Sequence, residues 1–238
     1  MVMQFIRSMI LITFILATCV PTTSVWAQAE GDVCAVNCAT YLPLVTDNYN
    51  ARNILVDNFS KSDSGWPTVN DEWVAYGYNQ ETYEMTVKKS GGVAGVFRPH
   101  GWMGDYVVSA SARIVTGSNV VYGLIFYTSD VNDEGNLFLN AEGKYSIQRY
   151  VNDEYQILKD WQSHNAVRPN GESNELSVQI VGEEYVVFIN GVEVTRGNFI
   201  RTGEMPGIGL LLFSAPGFQG PAVVQFDDLV VRAWSVME

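Results

Sequence analysis

The sequence of 238 residues predicts an all-β fold, a β-sandwich or jelly roll. Three observations predict it. From Ile54 onward apolar and polar residues alternate with period two, as in strands that bury one face. Turn residues interrupt these runs at short intervals, and no segment carries a helical apolar stripe of useful length. The ends of the periodic region also match: Asp57-Asn58-Phe59-Ser60 opens it and Phe226-Asp227-Asp228-Leu229-Val230-Val231 closes it, which suggests a closed sandwich.

Residues 1–27 read as an export signal. Arg7 supplies the positive start, Met9 to Val20 the short apolar run, and Val25-Trp26-Ala27 the small residues of a cleavage site. The apolar run is shorter than the roughly 20 residues a spanning helix needs, so no integral membrane segment is expected after cleavage. The protein is expected to be secreted or at the cell surface. In a competing reading, Leu16-Ala17-Thr18-Cys19 resembles a lipoprotein box that would leave Cys19 lipidated, although Thr18 fits it poorly. Residues 28–53 lack a sustained period and read as a flexible linker. Within it Cys34 and Cys38 are compatible with a small local disulfide or with two free thiols. The folded domain is expected over 54–238.

Along that domain, Tyr106, Val108, Ala110, Ala112 and Ile114 share one face of a strand, and Leu176, Val178 and Ile180 repeat the pattern. Val121 to Tyr127 is apolar on both faces, as in a central strand. Asn136–Asn140, Lys144–Tyr150 and Glu154–Trp161 read as three successive strands. Asn190-Gly191 predicts a two-residue type I′ hairpin between Tyr185–Ile189 and Val192–Val194.

The formal net charge is −12, and removal of Arg7 makes it one unit more negative. Nucleic acid and anionic membranes are bound chiefly through Lys and Arg clusters, which this sequence lacks, so neither is an expected partner. His100 and His164 both read as loop histidines, and neither neighbours a Gly-x-Ser-x-Gly elbow. There is no zinc-type cluster, phosphate-cradling glycine loop or dinucleotide fingerprint.

Asp57-Asn58-Phe59-Ser60 with Ser64-Gly65-Trp66-Pro67, then Asn174-x-Leu176-x-Val178, Phe188-Ile189-Asn190-Gly191, Gly207-Ile208-Gly209-Leu210 and Phe226-Asp227-Asp228-Leu229 together resemble the concanavalin A-like lectin/glucanase superfamily. The likeness is to its laminin-G-like and 3-keto-disaccharide-hydrolase-like branch in exported bacterial proteins, and it spans about Val56 to Trp234. It implies a jelly roll of two curved antiparallel sheets with first and last strands adjacent, and a concave face that commonly meets carbohydrate. Retaining glycosidases of this superfamily carry Glu-x-Asp-x-x-Glu on one strand, placing two carboxyls roughly 5 to 5.5 Å apart. No such string is present, and Asp130-x-x-Asp133-Glu134 reads as solvated loop acids. The resemblance also makes Asp57, Asp227 and Asp228 the candidate ligands of a structural calcium ion where the terminal strands meet.

The expected function is therefore an exported, non-catalytic module that binds glycan or another cell-surface polymer. Trp161, Tyr150, Tyr155, Gln148, Arg149 and Asn136 come from consecutive strands that could line such a face, and Trp102 stands on a glycine-flanked loop as either a ligand contact or a lid over the core. The alternatives are a glycoside-active hydrolase with an unrecognised carboxylate pair and an adhesion module with a protein partner. The sequence leaves the oligomeric state open.

Overall fold

The computed structural model describes residues 52–234 apart from 103, 131–132, 153, 170 and 204–205. The expected leader and nearly all of the linker, with Cys19, Cys34 and Cys38, lie outside the described residues. In chain order the strands are β1 (Asn53–Asp57), β2 (Val69–Asn70), β3 (Val74–Asn79), β4 (Thr82–Val87), β5 (Val93–Pro99), β6 (Tyr106–Thr116), β7 (Val120–Asp130) and β8 (Asp133–Asn140). They continue with β9 (Lys144–Val151), β10 (Glu154–Ser163), β11 (Asn174–Val181), β12 (Glu184–Ile189), β13 (Val192–Asn198), β14 (Gly207–Ser214) and β15 (Ala222–Ala233).

All pairings are antiparallel and they make two sheets. One runs β13-β12-β11-β6-β15-β4-β3-β2 with β1 also on β15; the other runs β10-β9-β8-β7-β14-β5. The matched ends of the sequence do meet. β4 holds the first half of β15, Ala222 to Phe226, and β1 holds the second, with Asp57 opposite Leu229.

Alternation decides which side chains enter the space between the sheets. Tyr106, Val108, Ala110 and Ala112 on β6 and Leu176, Val178 and Ile180 on β11 are buried there, facing Leu124, Leu137, Leu139, Tyr145 and Ile147 of the second sheet. Burying a leucine-sized side chain contributes about 1.5–3 kcal/mol, so this double row is the main source of stability. β7 is buried on both sides, as its unbroken apolar run predicts. Its outward residues Val121 and Ile125 join Phe138 and Leu211 in a second, separate apolar cluster.

The motif residues turn out to be structural knots. Asn190 and Gly191 take φ of 51° and 76°, the left-handed pair a type I′ turn requires. The Asn190 amide then donates to Asn174 Oδ1 at 2.9 Å and to the Ala166 carbonyl at 2.7 Å, while Asn174 Oδ1 also accepts the Arg168 amide at 2.8 Å. Asn174 is wholly buried, and this closed exchange is what makes that tolerable. At the other end, Asp57 collects the Phe59 amide, Ser64 Oγ, the Trp66 indole and Arg98. Trp66 is buried beside it.

Candidate functional site

The outward face of the six-stranded sheet carries the chemistry. Register places Glu134 beside Thr128 and Tyr150, Asn136 beside Ile125 and Gln148, and Phe138 beside Gly123 and Ser146. On the next strand Tyr155 stands opposite Tyr150 and Ile157 opposite Gln148. The floor is therefore an apolar centre of Val121, Ile125, Phe138 and Leu211, flanked by a polar row of Glu134, Asn136 and Gln148 and bordered by aromatic rings. Tyr150 and Tyr155 lie 4.9 Å apart, and Phe138 meets Phe213 edge-on at 5.5 Å. Trp161 packs against the same cluster. Tyr155 is 50% exposed, Ile157 62% and Phe97, across the sheet on β5, 39%.

Two groups on this face are out of the ordinary. Asn136 has no exposed surface, and neither its Oδ1 nor its Nδ2 has a partner at close hydrogen-bond geometry among the described residues, although its amide is near enough to the Glu134 carboxyl to act on it. A buried primary amide with nothing to bind costs about 1–3 kcal/mol per unsatisfied group. Glu134 is 6% exposed, and burial pushes its carboxyl up to about 7; the nearby Asn136 amide opposes the shift and the Asp133 charge adds to it. The Glu134 charge, together with burial, helps push the Tyr155 hydroxyl up to about 12, which places the two groups near each other.

The structure thus brings together five of the predicted residues, Asn136, Gln148, Tyr150, Tyr155 and Trp161. Arg149 does not join them. Adjacent residues of a strand point to opposite faces, so Arg149 turns inward, holds Asp133 through two bonds of 2.9 and 3.1 Å and lies over the Phe199 ring at 5.1 Å. Trp102 is a lid on the main core, its indole donating to the Asp105 carbonyl at 3.0 Å. Asp133 and Glu134 are not solvated loop acids. Both lie in β8 and both are buried, because the ladder to β7 and β9 begins at Asp133. Glu134 is the functional candidate that sequence reasoning missed. The signal was there: Glu134, Asn136 and Phe138 continue the period of two that marks the strand.

His100 is a loop residue, as expected, but its ring is largely buried and stands edge-on to Tyr106 at 5.1 Å. Burial pushes its pKa down to about 4, and Nε2 has no partner among the described residues. The acids proposed for calcium are placed differently from one another. Asp57 is already filled by protein donors, one of them the Arg98 guanidinium at 3.2 Å, and these take the acceptor sites a hard cation would need. Asp227 and Asp228 sit at a bulge in β15 where Asp228 has φ of 50° and its amide donates to Asp227 Oδ1 at 2.7 Å. Among the described residues no group of three or more His, Cys, Asp or Glu is arranged to hold a metal. A groove of about 230 Å³ on the other sheet, around Tyr76, Gly77 and Glu84, is already tied up, since Glu84 accepts from Asn79 and Gln225.

No family model matches the chain, and no curated protein matches it in sequence. Solved structures match it in shape. A Bacillus licheniformis β-glucanase superposes with a TM-score of 0.58 at 9% identity, over 79% of this chain and 100% of the glucanase. The fold is the concanavalin A-like jelly roll. The same sandwich is found in the CBM2 module of an evolved Dit protein from Lactobacillus casei BL23 phage J-1, with a TM-score of 0.52 at 9% identity over 79% of this chain and 98% of the module. A sialidase matches with a TM-score of 0.52 at 12% identity, where 75% of this chain spans only 18% of the enzyme. Concanavalin A-like sandwiches thus occur here both as a whole glucanase and as a module of something larger, and the fold alone does not assign either role.

Proposed function

We propose that this protein is a non-catalytic module that binds glycan on the outward face of its six-stranded sheet. The observation that carries the reading is the half-exposed Tyr155 packed on Tyr150, with the exposed Ile157 and the partly exposed Gln148 beside them, an aromatic and polar strip open to a ligand. Sugars match this arrangement. Hydroxyl groups both donate and accept, and the C–H face of a pyranose ring covers aromatic and apolar surface such as Tyr155 and Ile157. The neighbours named as a β-glucanase and a CBM2 module support a carbohydrate ligand.

The non-catalytic part rests on what flanks Glu134. Hydrolysis of a glycosidic bond needs two carboxyl groups, about 5–5.5 Å apart for retention or 6.5–9.5 Å for inversion. The described neighbours of Glu134 on its face are Thr128, Asn136 and Tyr150, none of them a carboxylic acid, and the nearby Asp133 is committed to Arg149. The test is a glycan-array screen of the purified protein, repeated with calcium and with chelator, beside an assay for reducing ends released from each bound polymer. Binding without release is the expected result. Release of reducing ends would establish a hydrolase, and silence across the array would transfer the reading to a protein partner.

A further inference from the structure

We infer that the glycan this face accepts is uncharged, and that Glu134 excludes polymers bearing carboxylate or sulfate. The inference rests on the glycan-binding reading and narrows its ligand class. An anionic sugar is held best by an unpaired cation at its site, and among the described residues this face offers none. Among the described strands of the six-stranded sheet the cationic side chains are Arg98, Lys144, Arg149 and Lys159. Arg98 is paired with Asp57 at 3.2 Å, Lys144 with Glu142 at 2.8 Å and Arg149 with Asp133 at 2.9 Å. Lys159 sits opposite Ile147, whose side chain enters the main core, so register assigns it to the other face. The charge that does point into the polar row is an acid, ionised once the pH passes about 7. Glu134 is 6% exposed and shares its surroundings with Asn136, Tyr150 and Tyr155, so its field is poorly screened there.

The recognition chemistry follows from that geometry. The partly exposed Gln148 side chain suits hydroxyls, which give and take hydrogen bonds equally, and the Tyr155 and Ile157 surfaces suit an apolar ring face. A sulfate or uronate brought to the same place would lose its water beside Glu134 with no counter-charge in reach. The formal net charge of −12 would also oppose its approach.

The experiment is affinity gel electrophoresis of the full protein at about pH 8.5, where Glu134 is ionised, in gels containing laminarin, barley β-glucan or methylcellulose, compared with κ-carrageenan and alginate, at low and at high salt. Retardation by at least one uncharged polymer, unchanged by salt, and weaker retardation by both anionic polymers by at least about tenfold is expected. In Glu134→Gln, which keeps the shape of the side chain, retardation by the uncharged polymer should persist and the penalty against the anionic ones should shrink. Preferential retardation by carrageenan or alginate overturns the inference while leaving the glycan-binding reading in place. An unchanged preference in Glu134→Gln overturns the role of Glu134, with a matched melting temperature showing that the variant is folded. Retardation by no polymer of either class overturns the glycan-binding reading and this inference with it.

Discussion

The indole Nε1 of Trp66 donates to the carboxylate of Asp57 at 2.9 Å, and both residues are buried. That bond is one of four. Phe59 N reaches Oδ1 at 2.8 Å, while Ser64 Oγ at 2.6 Å and Arg98 at 3.2 Å share Oδ2 with the indole. The exchange holds Phe59 at a φ of 53°, a left-handed setting that a bulky side chain takes only when its surroundings impose it. One carboxylate therefore ties β1, the turn after it and β5 into a single corner. The motif that opens the folded region is about architecture.

Asp57→Ala would leave an indole N–H and a guanidinium without their acceptor in a buried place. A loss of about 3–5 kcal/mol is expected, as when one partner of a buried ion pair is removed, and urea denaturation would measure it. Because the carboxylate is filled by protein donors, added calcium and chelator should both leave the wild-type melting temperature where it is. A calcium-dependent rise would restore a cation to the terminal-strand aspartates.

Glu134 and His100 make opposite demands on pH. The Glu134 carboxyl ordinarily titrates near 4.5 and is raised to about 7, so its contribution to stability is complete below about 4.5 and is lost as pH rises through about 7. His100 is lowered from 6.5 to about 4, so its contribution is complete above 6.5 and is lost as pH falls through about 4. Each amounts to about 3 kcal/mol at most, and between roughly 4.5 and 6.5 their slopes cancel. Glu134→Gln should therefore make stability rise with pH across that window, and His100→Asn should make it fall. Denaturant midpoints at several pH values would read the two slopes, and parallel profiles for both variants would refute the assignment.

Gly123 sits on β7 at the centre of the outward face, where a Cβ would stand 1.9 Å from the Leu137 carbonyl oxygen of β8. Backbone cannot yield as a flexible side-chain tip can. Gly123→Ala should force β7 and β8 apart and cost about 3 kcal/mol or more, seen as a fall in denaturant midpoint or a failure to fold. Gly91→Ala, where nothing lies within 4 Å of the added carbon, controls for position but has a φ of 83° and should cost only the smaller strain of that setting.

The strands were legible because period two is a direct consequence of the pleat. Tyr106, Val108, Ala110 and Ala112 lie together in the core as their spacing predicts, and Asn190-Gly191 turns as that pair must. The site was only half legible. Gln148 and Tyr150 could be grouped from parity, and parity should have removed Arg149 from the same group. Glu134 was hidden by its neighbours: a run of acids before a strand looks like a loop, and only the ladder partners Thr128 and Tyr150 show that it is not. Trp102 could not be assigned from sequence, since a tryptophan between glycines reads alike as a lid or a ligand contact until its burial is known.

Asn136 and Tyr155 both lie on the outward face and should answer differently, one for the fold and the other for binding. The Asn136 amide has no close partner among the described residues and stands against Ile125 on one side. Asn136→Leu replaces that buried polar group with an apolar one of the same branched shape, next to the cluster formed by Val121, Ile125, Phe138 and Leu211. The protein should become more stable by about 1–3 kcal/mol, read as a rise in denaturant midpoint, while glycan retention stays as in the wild type because the amide has no exposed surface. A drop in melting temperature would show instead that the Glu134 carboxyl satisfies the amide. Tyr155→Ala should weaken binding by about tenfold or more while lowering stability only by its ring contacts to Tyr150 and Phe138, about 0.5–1.5 kcal/mol each, and binding left unaltered in a folded variant would sink the reading of this face as the site.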